Sequence, residues 1–225
     1  MNGTMKVYHL YSGGKDSSLA AWILMRLGYE VRLVTVTFGT LEGWKFARET
    51  AERLGFEHEV LRLPRRLLEK AAEMAVEDGR PGRAIQFLHE KALEAIASRR
   101  EVTRISDGTR RDDRVPYLDL PKARSLEDRF GVAYIRPLLG IGYRTVNELV
   151  QKLFEVEIRE SEELEKSDYE VELRHLLREL GIDPLSIFPK SHYQSRVLGW
   201  KHEFIGREGR GFTPSGKPPQ GSSSR

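Results

Sequence analysis

The residues with most to offer chemically lie in Ser12-Gly13-Gly14-Lys15-Asp16-Ser17, between an apolar run, Val7 to Leu10, and a helical-looking one, Leu19 to Leu27. A glycine-rich turn that opens a helix aims unpaired N–H groups and a positive dipole end at an anion, which predicts a phosphate. Gly13 and Gly14 let the backbone approach with no Cβ in the way and permit positive φ. Ser12 and Ser17 add hydroxyl donors, and Lys15 adds a point charge. Asp16 would be repelled by a polyanion unless a cation lay between them; Mg2+, which prefers one or two carboxylates plus substrate oxygens, resolves the conflict. The plainer alternative is that Asp16 and Ser17 only cap the helix.

Spacing excludes two familiar phosphate loops. A Walker A loop needs a glycine where His9 stands and a hydroxyl residue where Asp16 stands, and a dinucleotide fingerprint needs a third glycine in register. A second cluster, Ser106-Asp107-Gly108-Thr109-Arg110-Arg111-Asp112-Asp113, closes a predicted strand and by itself reads as a turn with a capping aspartate. A third segment, Ile135 to Gly140, leads through Tyr143 and Arg144 into a helix, and its Arg136-Pro137 reads as a strand terminator. Toward the C-terminus, Phe188 to Arg196 interleaves bases with aromatics. That pattern suits single-stranded RNA, an acceptor pocket or a packed turn. His192 is a candidate acid or base at that turn, and His9 reads as a satisfied interior residue.

Positioning these residues is the work of alternating strands and helices. Strands are predicted at Lys6 to Tyr11, Val31 to Phe38, His58 to Leu63, Glu101 to Ser106 and Val132 to Arg136. Helices are predicted between them, ending at Gly28, Gly55 and Gly131 among others, with Ile85, Leu88, Ala92 and Ile96 at helical spacing in one. The alternation predicts an α/β fold: a doubly wound, mainly parallel five-stranded sheet with ligands at the carboxyl ends of its strands. After Leu138 two further helices are expected around an acidic stretch, Glu155 to Glu170. The expected organisation is a nucleotide-binding domain over 1–154, a small helical substrate or interface region over 155–205, and a disordered tail over 206–225.

Composition narrows the function. None of the 225 residues is cysteine, which removes disulfides, iron–sulfur clusters and cysteine nucleophiles from this chain. No apolar run approaches the roughly 20 residues that span a bilayer, and nothing resembles a signal peptide, so a cytoplasmic protein without a membrane partner is expected. The net charge is only +3, and paired arginines read first as a solvated surface. Two asparagines and four glutamines beside 32% charged residues hint at a hot-living source.

Ser12 to Ser17 resembles the Ser-Gly-Gly-x-Asp-Ser loop of the PP-loop ATP pyrophosphatase superfamily, with relatives such as asparagine synthetase C-terminal domains, tRNA lysidine synthetases and the diphthamide ligase. Gly108-Thr109 through Asp112-Asp113 is similar to a second superfamily segment, and Arg136-Pro137-Leu138 to a third. The resemblance spans roughly Lys6 to Phe154. It implies ATP and Mg2+ as cofactors, with Ser12, Gly13, Gly14, Lys15, Asp16, Ser17, Gly108, Thr109 and Arg110 binding nucleotide. Asp16, Asp112 and Asp113 become candidates for the metal, and Arg110 and Arg111 for neutralising the triphosphate. Lys15, Asp16, Asp112, Asp113 and Arg144 are then the catalytic candidates. The adenine is expected over the second strand's end, where main chain near Val36 reads the base edge and Phe38 covers its face.

The implied reaction is attack of an acceptor oxygen on the α-phosphorus, releasing pyrophosphate and leaving an AMP adduct for ammonia or an amine. The acceptor is a tRNA or a small molecule, which makes the protein a ligase or transferase of amide-forming or tRNA-modifying type. Thiolation would need a separate sulfur donor, and amidation a source of ammonia. A homodimer is left open as an assembly. The rival reading is a nucleotide sensor that holds ATP without turnover.

Overall fold

Consecutive residues of a strand point to opposite faces, and the first two strands are apolar at neighbouring positions such as Val7 and Tyr8 or Leu33 and Val34, which is why both faces of the sheet are covered. The computed structural model describes residues 5–160, 168–189 and 193–201. Along the chain run β1 (Lys6–Leu10), α1 (Lys15–Arg26), β2 (Glu30–Thr37), α2 (Trp44–Leu54), β3 (Glu57–Arg62), α3 (Arg65–Asp78) and α4 (Gly82–Ala97). They are followed by β4 (Arg104–Ser106), α5 (Leu120–Phe130), β5 (Ala133–Ile135), α6 (Tyr143–Leu153), β6 (Phe154–Glu160), α7 (Tyr169–Glu179) and β7 (Tyr193–Trp200). The five-stranded sheet has the order β3-β2-β1-β4-β5 with every pair parallel.

Two apolar layers flank it. Tyr8, Leu10, Val34 and Val36 pack with α3, α4, α5 and α7, while Val7, Val31 and Leu33 pack with α1, α2 and α6. Because β1 pairs with both β2 and β4, the chain leaves β1 toward one side and returns on the other. The crevice of a doubly wound sheet opens at such a reversal, beyond the carboxyl ends of β1 and β4.

The region 155–205, expected as a helical extension, is mixed. Its helix is α7, whose Leu173, Leu176 and Leu177 are buried in the first layer. The rest includes β6 and β7, an antiparallel ribbon running from Phe154 opposite Trp200 to Glu160 opposite Tyr193. Phe154 and Trp200 hold it together with ring centroids 4.9 Å apart, and Val197 is buried in the second layer. The expected tail, 206–225, and His192 lie outside the described residues. No helix among the described residues is long and apolar enough to cross a membrane.

Candidate functional site

The turn after β1 is built around Gly13. Its φ is +77°, a left-handed value, and a Cβ there would sit 3.3 Å from Ala47 Cα on α2, so conformation and space both call for glycine. Ser17 Oγ donates to the Gly14 carbonyl at 3.1 Å and lies 3.3 Å from Ser12 Oγ, which fixes the turn against α1. Gly14 starts α1 with no capping side chain. Asp16 therefore does not cap the helix. Its carboxylate accepts from Lys15 Nζ at 2.8 Å and faces Arg110 Nη1 at 3.6 Å.

Arg110 comes from the turn after β4, which presses on the start of α1. A Cβ at Gly108 would stand 2.8 Å from Ser17 N and 2.9 Å from Ser17 Cα, both backbone atoms. Arg110 is held by Asp113 through Nε at 3.0 Å and Nη2 at 2.5 Å. Burial works against its charge, but Asp113 and Asp16 more than compensate and raise its pKa. The two adjacent aspartates part company here. Asp113 lines the cleft, whereas Asp112 accepts from the Tyr143 amide at 2.8 Å and from Arg111 at 2.9 Å, tying the turn to the start of α6. Tyr143 lies under two cations, with Lys15 5.2 Å and Arg110 5.4 Å from its ring centroid.

Between the two turns is a cleft of about 740 Å3, mouth included, with Ser12, Asp16 and Ser17 on one wall and His89, Asp107 and Tyr169 on the other. A model of a family of unknown function, DUF7411, matches residues 5–199. The chain belongs to DUF7411. This DUF7411 protein is 48% identical over 199 residues to the uncharacterized protein MJ0690 of Methanocaldococcus jannaschii, covering 88% of this chain and 98% of the relative. A crystal structure from M. jannaschii, described as a predicted subunit of tRNA methyltransferase, superposes with a TM-score of 0.81 at 48% identity, over 88% and 98% of the two chains. The U34-tRNA thiolase NcsA of Methanococcus maripaludis aligns at 20% identity with a TM-score of 0.48, over 67% of this chain and 57% of that one.

In the DUF7411 chain, Ser12, Asp16, Ser17, Val36, Gly108, Thr109 and Asp113 all line the cleft, although they come from three strand ends. Phe38 does not. Its ring is 1% exposed in the core, and its amide donates to both carboxylate oxygens of Glu172 on α7, at 3.0 and 3.1 Å. Arg144 is exposed on the first turn of α6 and is not among the residues that line the cleft. No cluster of three or more metal-ligating side chains occurs among the described residues, so Asp16, Asp112 and Asp113 do not form a cage. His89, Asp107 and Tyr169 also line the cleft, beyond the candidate residues that the sequence offers for a site. One local signal points to His89: it follows Ile85 by four residues on a helix, and both line the cleft.

Proposed function

We propose that the cleft binds ATP with the pyrophosphate end against Ser12 to Ser17, leaves the α-phosphorus open to an acceptor oxygen, and adenylylates that acceptor. The observation that carries this reading is the meeting of Asp16, on the first turn of α1, with Arg110, from the turn after β4, 3.6 Å apart beside a phosphate-type turn at a helix start. Without ligand, the cations Lys15 and Arg110 are neutralised by Asp16 and Asp113. A magnesium-bound triphosphate offers each of the four a better partner. Lys15 and Arg110 would then turn to phosphate oxygens, and Asp16 and Asp113 would hold the metal.

Asp16 and Asp113 fit Mg2+, which takes one or two carboxylates and fills its remaining positions with phosphate oxygens and water. When bound, the metal neutralises charge that builds on the departing pyrophosphate. Lys15 and Arg110 would act on the same charge, and the turn itself would orient the leaving group. Asp112, engaged with α6, would set the position of Arg111 and Tyr143 instead.

The description of the M. jannaschii relative as a predicted tRNA methyltransferase subunit favours tRNA among the acceptors. With no cysteine in the chain, sulfur transfer would draw on a donor elsewhere, while free ammonia or an amine would suffice for amidation. The test is pyrophosphate release from MgATP with unfractionated tRNA and with small-molecule acceptors. Lys15→Ala and Asp16→Asn should each weaken ATP binding about tenfold or more, since each removes a charge-assisted contact of roughly 1.5–3 kcal/mol. Tight ATP binding with no pyrophosphate from any acceptor would instead mark a sensor.

A further inference from the structure

The wall opposite the phosphate turn carries a line of polar side chains that nucleotide binding leaves unused. Asp107, 1% exposed, accepts four hydrogen bonds: from Thr109 N at 3.0 Å and Thr109 Oγ1 at 2.7 Å on one oxygen, and from Tyr134 Oη at 2.6 Å and His89 Nε2 at 2.9 Å on the other. Burial alone would push its carboxyl up, but these donors, His89 foremost, outweigh burial and hold it well below the usual carboxylate range. Asp107 is thus a fixed anion that can only accept.

The direction of the remaining bonds follows. His89 Nε2 carries the hydrogen, so in the neutral imidazole Nδ1 is the acceptor. Nδ1 lies 3.2 Å from Tyr169 Oη, which therefore donates to it and keeps its lone pairs free to accept, on a side chain that lines the cleft. Burial, then the charges of Asp168 and Asp107, raise Tyr169, so its hydroxyl keeps a proton unless another arrives in exchange. Two successive bonds point from the open cleft to a buried carboxylate. That polarity accepts protons, and it matches the way a histidine held by a buried aspartate serves a hydroxyl in acyl transfer.

We propose that Tyr169, His89 and Asp107 are the proton acceptor for the second substrate, which is accordingly a hydroxyl or amide group and not a carboxylate. The proposal rests on the adenylylation reading above. As the acceptor oxygen forms its bond to the α-phosphorus, the bond from that phosphorus to the bridging oxygen breaks, and its electron pair leaves with pyrophosphate. The acceptor's O–H, or the N–H beside its carbonyl, breaks in the same step. That proton goes to Tyr169 Oη, and the tyrosine's own proton passes to His89 Nδ1. The resulting imidazolium faces Asp107. A carboxylate acceptor has no proton to give and would leave the relay idle. Tyr169 touches the acceptor and is the catalytic member; His89 and Asp107 act through it.

Asp107→Asn preserves shape but presents an N–H to His89, so the imidazole must shift its hydrogen to Nδ1 and Tyr169 must turn outward. Nitrogen-15 NMR of the full-length protein should show Nε2–H at His89 in the wild type and Nδ1–H in the variant. With MgATP and unfractionated tRNA, Tyr169→Phe and Asp107→Asn should keep the KM for ATP while kcat for pyrophosphate release falls about 100-fold, within the range typical of a positioned base. Tyr169→Phe removes a single oxygen, so its melting temperature reports whether the fold is intact. An Nδ1–H tautomer in the wild type, or unchanged kcat in Tyr169→Phe, overturns the relay while leaving ATP binding and release intact. A wild-type protein that neither binds MgATP nor releases pyrophosphate overturns the nucleotide reading, and the relay's role falls with it.

Discussion

His9 shows how one side chain can join three parts of the molecule. It is fully buried in β1, lies 2.9 Å from the Ser17 carbonyl at Nε2, and lies 3.1 Å from Ser106 Oγ at Nδ1. A carbonyl can only accept, so Nε2 carries the hydrogen and Nδ1 takes one from the serine. Burial holds its pKa down to about 4, against an ordinary value of 6.5, and His58 is lowered to about 4 chiefly by burial as well. Between those limits the unfolded chain binds protons that the folded chain refuses. Stability is therefore complete above the ordinary histidine range and is lost on acidification toward pH 4, at about 1.4 kcal/mol per pH unit for each such histidine. Urea titrations at pH 7 and pH 5 should show this loss, and His9→Gln should remove its share of the slope. Equal pH dependence in variant and wild type would mean that His9 titrates normally in place.

At the scale of elements, the closeness of the β4 turn to the start of α1 decides the width of the cleft. Gly108→Ala would drive a methyl group into the Ser17 backbone, where neither side is a flexible side-chain end. The turn must retreat, carrying Arg110 and Asp113 away from Asp16, at a cost of about 1–3 kcal/mol typical of overpacking. ATP affinity, measured by calorimetry, should fall further than the melting temperature suggests. The five strands were legible because short runs rich in Val, Ile, Leu, Thr or Tyr, each followed by turn residues, alternate with helical periods that stop at glycine, as β2 does between α1 and α2. The β6–β7 ribbon was not. Phe154, Val156 and Ile158 alternate as a strand should, but the intervening Glu155 and Glu157 made the segment read as the start of the acidic stretch Glu155 to Glu170 between two helices. Nor does spacing separate Asp112 from Asp113, since the docking of α6 alone assigns them different partners. The partners of Phe38 N and Asp107 come from Glu172 and His89 on other helices, which no local pattern announces.

On the scale of the whole molecule, the late part of the chain finishes what the early part begins. The Val197 amide donates to the Gly13 carbonyl at 3.0 Å, and the Val197 carbonyl accepts from Thr50 Oγ1 at 3.0 Å, so β7 ties the glycine turn after β1 to α2. Proline at this position has no N–H, so Val197→Pro deletes the first of these bonds. ATP binding should weaken in that variant although every residue of the turn is present; unchanged affinity would show the ribbon to be an appendage. Glu172 on α7 plays a similar part at the end of β2, where it also accepts from the Thr40 amide and hydroxyl at 3.1 and 2.8 Å. The Gly13 and Val197 ends of the β7 tie lie more than 180 residues apart in the chain, so any fragment without β7 would keep the glycine turn but lose the bonds that anchor it to α2.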